Sequence, residues 1–143
     1  MIIYADTSAV LKLVVEEQES STLAEYLSTA SRTHRLVASM LLYTELHCAA
    51  RRRAIHGELV NAALGGINLV DLVRSDLMYA AALPGSLRSA DAIHLAVAIR
   101  LQVDVLVSYD VELLAAAVDA GLNVLSPGKR TGRNEDSVHP SQT

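Results

Sequence analysis

The chain has no tryptophan and no phenylalanine, and five tyrosines are the only aromatics among its 143 residues. Its core must therefore be aliphatic and rich in alanine. Leu and Ala suit helices while Val and Ile suit strands, a mixture that favours α/β over all-β. Cysteine is equally scarce: Cys48 stands alone, which excludes an internal disulfide and fits a reducing compartment. Flanked by Leu46, Ala49 and Ala50, it reads as a small core residue. Although 51% of the residues are hydrophobic, no apolar run reaches the length of a membrane span, because Asp6, Lys12 and His94 interrupt the candidates. The N-terminus lacks a basic stretch, and Asp6 arrives too early for a secretion signal. A soluble, cytoplasmic protein is expected. Basic charge is lacking too: 12 Lys and Arg face 16 Asp and Glu, for a net charge of -4. Any grip on nucleic acid then needs a local basic patch rather than bulk charge.

What is present alternates. At 143 residues and 15.3 kDa the chain makes one domain, able to bury about two-thirds of its unfolded surface. Met1-Ile2-Ile3-Tyr4-Ala5 is short, apolar and rich in β-formers, so it reads as a buried strand ending on Asp6. The period changes at once to a helical rhythm over 8–15. Further helices are expected over 21–30, capped by the serines before it, over 40–54, capped by Ser39, and over 57–64, stopped by Gly65-Gly66. Others are expected over 74–82, over 90–101 opened by Ser89, and over 111–120. Strands fall at 36–38, 67–70, 105–107 and 123–125. From Pro127 to Thr143 the composition turns to Gly, Pro, Ser and mixed charge, which reads as a flexible tail behind a domain of residues 1–126. No internal repeat is visible.

Strands separated by helices imply a parallel sheet covered on both faces, a three-layer α/β/α sandwich. If the fourth strand lies beside the first, the order is 3-2-1-4-5 and a crevice opens above the carboxyl ends of those two strands. Asp6 ends the one; Ser108-Tyr109-Asp110 ends the other.

Each acid near that crevice has a plain explanation beside the chemical one. Asp6 and Asp110 can each cap the helix that follows, and Asp91 sits in a first turn where the macrodipole favours it. Glu45 differs. It lies mid-helix between Leu42 and Ala49 on the core-facing stripe, where, unless it snorkels to solvent, it needs a cation, a metal or a proton to offset its desolvation. Together the four suggest a carboxylate cluster, which would repel itself unless a divalent metal were bound. Oxygen-only ligands favour Mg²⁺ or Mn²⁺ over Zn²⁺, and hard cations beside a phosphate fit phosphodiester hydrolysis. Thr7 and Ser8 read as turn hydroxyls, as partners of Asp6, or as both. Arg88, just ahead of Asp91, reads as a phosphate contact. Arg51-Arg52-Arg53 read better as ordinary cations at a helix C-terminus, and His94 as a satisfied helix histidine rather than a ligand.

Tyr4-Ala5-Asp6-Thr7-Ser8-Ala9, Glu45-Leu46, Ser89-Ala90-Asp91-Ala92-Ile93-His94-Leu95-Ala96 and Val107-Ser108-Tyr109-Asp110, in that order and spacing, resemble the PIN-domain ribonucleases. The size and opening most resemble VapC toxins of toxin–antitoxin pairs. The resemblance runs from Met1 to about Leu125. It implies the 3-2-1-4-5 sheet, a Mg²⁺- or Mn²⁺-dependent endoribonuclease, and a cognate VapB-like antitoxin. It also implies an acidic site of Asp6, Glu45, Asp91 and Asp110, with Ser108 near the metal. On this reading Asp6 and Asp91 hold the metal, with Asp110 binding directly or through water. Glu45 orients or deprotonates the attacking water, or completes a second metal site. The antitoxin is expected on the helices within 8–30, where Leu11, Val14, Val15, Leu23 and Leu27 offer apolar surface, and a homodimer is expected.

Two other classes compete. A phosphotransfer domain using Asp6 as nucleophile would want a second acid where Ser8 stands, or an acidic pair ahead of the phospho-accepting strand. No Gly-rich phosphate loop appears either. The other rival is a catalytically idle PIN-like module that only binds RNA or its partner; the four acids argue against it.

Overall fold

Ile3, Tyr4 and Ala5 are wholly shielded from solvent on both sides of their strand, as a central strand with helices above and below requires. In the computed structural model, which describes residues 1–129, that strand is β1 (Ile2–Ala5). The chain continues as α1 (Thr7–Leu11), α2 (Ser20–Ala30), β2 (Arg35–Ser39), α3 (Leu41–Arg52), α4 (Gly57–Leu64) and β3 (Asn68–Val70). It then forms α5 (Arg74–Ala82), α6 (Ser89–Arg100), β4 (Val105–Val107), α7 (Val111–Asp119) and β5 (Asn123–Leu125).

The sheet is parallel throughout and its order is β3-β2-β1-β4-β5. Ile3 pairs with Leu36 on one side and Val105 on the other; Tyr4 pairs with Val37 and Leu106. After β1 the chain winds outward to β2 and β3, then crosses back to lay β4 on the free edge of β1. The carboxyl ends of β1 and β4 thus adjoin where the winding reverses, the position that open α/β sheets use for ligands. The aliphatic core holds this edge rigid. Truncating Ile3 or Leu106, both fully buried, to alanine would cost about 2–5 kcal/mol each.

Several expectations need correction. The helix expected over 8–15 ends at Leu11 and relaxes into turns. No serine caps α2, whose N-cap is Glu19; Ser20 instead accepts from the Glu17 amide over 2.8 Å. Ser89 opens α6 as expected, as its first residue, with Arg88 at the N-cap. Ser39 does serve the start of α3, its Oγ accepting from the Leu41 amide over 3.0 Å. Cys48 is exposed rather than a core residue. Leu23 and Leu27, expected at a partner surface, are buried in the chain's own core, while Leu11, Val14 and Val15 are half-buried. The expected tail lies, from residue 130 on, outside the described residues. Pro127 is buried, and its carbonyl accepts the Tyr109 hydroxyl over 2.6 Å. Among the described residues no helix is long and apolar enough to cross a membrane.

Candidate functional site

Asp6 follows β1 directly and keeps the ladder for one residue more, its amide donating to the Val107 carbonyl over 3.2 Å. The backbone there is still extended, so the side chain turns back over α1 and caps it, Oδ1 accepting from the Ala9 amide over 3.0 Å. Two hydroxyls complete its shell. Ser8 donates to Oδ1 and Oδ2 over 2.8 and 3.0 Å, and Ser108 donates to Oδ2 over 2.7 Å. Burial pushes the Asp6 carboxyl above its ordinary range, while the Ser108 and Ser8 hydroxyls and the Ala9 amide pull the other way. Capping and chemistry are therefore compatible here.

Asp110 is built alike. It caps α7, Oδ1 accepting from the Leu113 amide over 3.0 Å, and its own amide donates to Ser108 Oγ over 3.0 Å. Ser108 bridges the two acids. Ser8 adds a second tie across the strand ends, accepting from the Tyr109 amide over 2.9 Å.

Asp91 lies in the first turn of α6, half-buried, and its carboxylate makes no hydrogen bond to any described residue. Its proton affinity is raised to about 6, first by burial, then by the negative charges of Asp110 and Asp6 and, more weakly, Glu45. One carboxyl thus feels the other three, so all four share one neighbourhood at the carboxyl edge of the sheet.

Glu45 lies on α3 and needs a partner to be tolerated there. Thr7 donates to its Oε1 over 2.7 Å and His94 Nε2 meets the same oxygen at 2.6 Å. Burial raises the Glu45 carboxyl, but the hydrogen bonds from His94 and from the Thr7 hydroxyl prevail and hold it below its ordinary range. Thr7 thus serves Glu45 and Ser8 serves Asp6, a division their adjacency in sequence does not reveal.

Arg88 is exposed at the N-terminus of α6, and among the described residues nothing engages its guanidinium. Arg51 and Arg52 are exposed in the last turn of α3, and Arg53 donates to the Ala49 carbonyl over 3.0 Å, as helix-end cations do. His94 is a satisfied histidine, as expected. Tyr4, which the motifs did not single out, holds its other nitrogen at 2.6 Å. The signal was available: Tyr4 stands two residues ahead of Asp6, and strand alternation sends both side chains to one face.

The donor set is made of carboxylates and hydroxyls, which suits a hard divalent cation. Among the described residues, no three or more His, Cys, Asp or Glu side chains stand together, as they lie, in a group that could hold a metal ion. The fit is electrostatic: the crowding that raises Asp91 is what a bound dication would relieve.

Residues 3–119 match the PIN domain family. The chain is 38% identical over 134 residues to Ribonuclease VapC46 of Mycobacterium tuberculosis, covering 87% of this chain and 97% of that protein. It is 34% identical over 133 residues to Ribonuclease VapC47 of the same organism, covering 89% and 98%. Among solved structures it is similar to VapBC2 from Rickettsia felis bound to a promoter DNA fragment, with a TM-score of 0.71 at 13% identity, covering 87% and 97%. It is also similar to Mycobacterium tuberculosis VapC20, a sarcin-ricin loop cleaving toxin, with a TM-score of 0.66 at 19% identity, covering 80% and 94%. At such identities the structural likeness speaks to the fold.

Proposed function

The chain belongs to the PIN-domain family, and within it to the VapC group of toxin–antitoxin systems; from that premise we propose that it is a metal-dependent endoribonuclease acting as the toxin of such a pair. The observation that carries the reading is that Asp6 and Asp110 stand at the adjoining carboxyl ends of β1 and β4, tied through Ser108, with Asp91 near enough for their charge, after burial, to raise its proton affinity. Such crowding is unfavourable for folding alone and useful to a site that binds a dication.

Asp6 and Asp91 would hold Mg²⁺ or Mn²⁺, Asp110 directly or through water, and Glu45 would orient the attacking water or complete a second site. Such an ion supplies a lowered pKa for bound water and neutralises charge on the phosphate. The chain's own residues do the rest. Ser8 and Ser108 fix the rotamer of Asp6. Glu45, held ionised by Thr7 and His94, is a weak base but a good acceptor, so orienting the attacking water suits it better than taking its proton. Arg88, exposed and unengaged among the described residues, supplies a cation for a flanking phosphate.

The partner is an antitoxin docking over α1 and the start of α2. Leu11, Val14 and Val15 are the half-buried apolar groups that support this placement. A homodimer is proposed as well, supported by the exposed Leu77, Met78 and Tyr79 on α5 and Val111 and Val118 on α7.

Total RNA incubated with the protein in Mn²⁺ and in chelator, with Asp6→Asn alongside, tests the activity. New 5′ ends confined to wild type with metal are expected. Equal cleavage by Asp6→Asn, with contaminating nuclease excluded, rejects the reading, and an absence of cleavage favours the idle RNA- or partner-binding module.

A further inference from the structure

His94 is 1% exposed, yet it belongs to none of the four acids' backbone elements except α6, and it sits in a chain of hydrogen bonds ending on Glu45. The direction of that chain follows from its fixed end. The Ser39 amide, which can only donate, gives its hydrogen to Tyr4 Oη over 3.0 Å. With that hydrogen already on one side of Oη, the hydroxyl's own proton is left for the other neighbour. That neighbour, at 2.6 Å, is His94 Nδ1, which therefore accepts. The imidazole proton is then on Nε2, directed at Glu45 Oε1, 2.6 Å away. Thr7 donates to the same oxygen over 2.7 Å. Oε1 takes two donors while Oε2 has none among the described residues.

Every link stands beside an acid. Tyr4 is two residues ahead of Asp6, His94 is one turn after Asp91, and Ser39 ends the strand that leads into the helix of Glu45. A packing role alone does not explain this. A leucine would fill the space of His94 without its polar links to Tyr4, to Glu45 and to Thr7, whose Oγ1 lies 3.2 Å from Nε2, and buried polar chains carry a cost when incomplete.

We propose that Tyr4 and His94 form a positioning relay that locks Glu45 in one orientation, with Oε1 saturated and Oε2 presented to the water that attacks RNA. The inference rests on the ribonuclease reading above. The relay sets turnover rather than RNA binding, since neither residue reaches the surface where a phosphate could touch it.

The test compares Tyr4→Phe, His94→Gln, His94→Leu and Asp6→Asn on a pool of fluorophore- and quencher-labelled RNA oligonucleotides with MnCl2. Tyr4→Phe should lower kcat about tenfold and His94→Leu about a hundredfold, with KM within about twofold. His94→Gln, whose amide can donate where Nε2–H stood, should recover much of what leucine loses. Nitrogen-15 spectra of the metal-free, histidine-labelled protein give an independent reading. Wild type should show His94 as the single Nε2–H tautomer, and Tyr4→Phe a mixture. Equal kcat for the glutamine and leucine variants, a change in KM alone, or an Nδ1–H tautomer in wild type overturns the relay. A wild type no faster than Asp6→Asn overturns the ribonuclease reading and the relay with it. A wild type faster than Asp6→Asn but matched by His94→Leu overturns the relay alone.

Discussion

Ser108, at the end of β4, donates its hydroxyl to Asp6, at the end of β1, over 2.7 Å, and the same Oγ accepts the Asp110 amide over 3.0 Å. One buried hydroxyl thus joins two strands and two acids. Ser108→Ala would leave the Asp110 amide unpaired and Asp6 short of one donor. A loss of about 1–3 kcal/mol in urea denaturation is expected. RNA cleavage should fall about tenfold as Asp6 loses its fixed rotamer. A variant as stable and as active as wild type would show that the bridge is incidental.

Asp6→Asn separates capping from chemistry. Asparagine caps a helix about as well as aspartate, so α1 should survive the change. Removing one charge from a crowded cluster should leave the chelated protein as stable as wild type or slightly more so. With Mn²⁺ the order should reverse, because only wild type gains much from ligand linkage. Melting curves with metal and with chelator decide it. Unchanged metal-dependent stability in Asp6→Asn would reduce Asp6 to a cap.

The sheet was legible because every strand is a short apolar run closed by a turn signal, and the 3-2-1-4-5 order follows once β4 is laid beside β1. The gathering of Asp6, Glu45, Asp91 and Asp110 was legible for a related reason: three of them follow strand ends or open helices, positions that topology fixes. Side-chain partnerships were not. Thr7 and Ser8 are neighbours in sequence, yet they bond to Glu45 and Asp6 respectively. Cys48 was misplaced because Leu46, Ala49 and Ala50 flank it. At about 100° per residue, a position two away from Leu46 faces nearly the opposite side of α3. Leu23 and Leu27 repeat their apolar spacing whether they face the core or a partner, and only the tertiary packing of α2 chose between the two.

Arg88→Ala tests the phosphate contact. The side chain is exposed and unengaged among the described residues, so its loss should leave stability within about 0.5 kcal/mol. KM for RNA should rise several-fold with kcat little changed. The dependence of binding on salt should also weaken by somewhat less than one unit of log–log slope, as for one lost phosphate contact on a single strand. An unaltered salt slope would remove Arg88 from the interface.

Asp91 links stability to pH, and the sign can be worked out. Its carboxyl ionises near an ordinary 3.8 in the unfolded chain and at about 6 in the fold. Between those values the folded protein holds more proton than the unfolded chain, so stability is full below the lower value and falls as pH rises through the upper one. Asp6, also raised by burial, acts in the same direction. Glu45 is lowered, so its contribution disappears only on acidification below the ordinary carboxylate range, outside this window. In chelator, the melting temperature should therefore decline between about pH 5 and about pH 7. Asp91→Asn should flatten much of that decline and melt higher than wild type at the alkaline end. Mn²⁺ competes with the same proton, so the stabilisation it confers on wild type should grow as pH passes about 6 and offset the decline. Differential scanning fluorimetry across that range, in chelator and in MnCl2, measures all three effects. A chelated wild type whose melting temperature ignores pH, with Asp91→Asn superimposed on it, would show that the four carboxylates do not share one field.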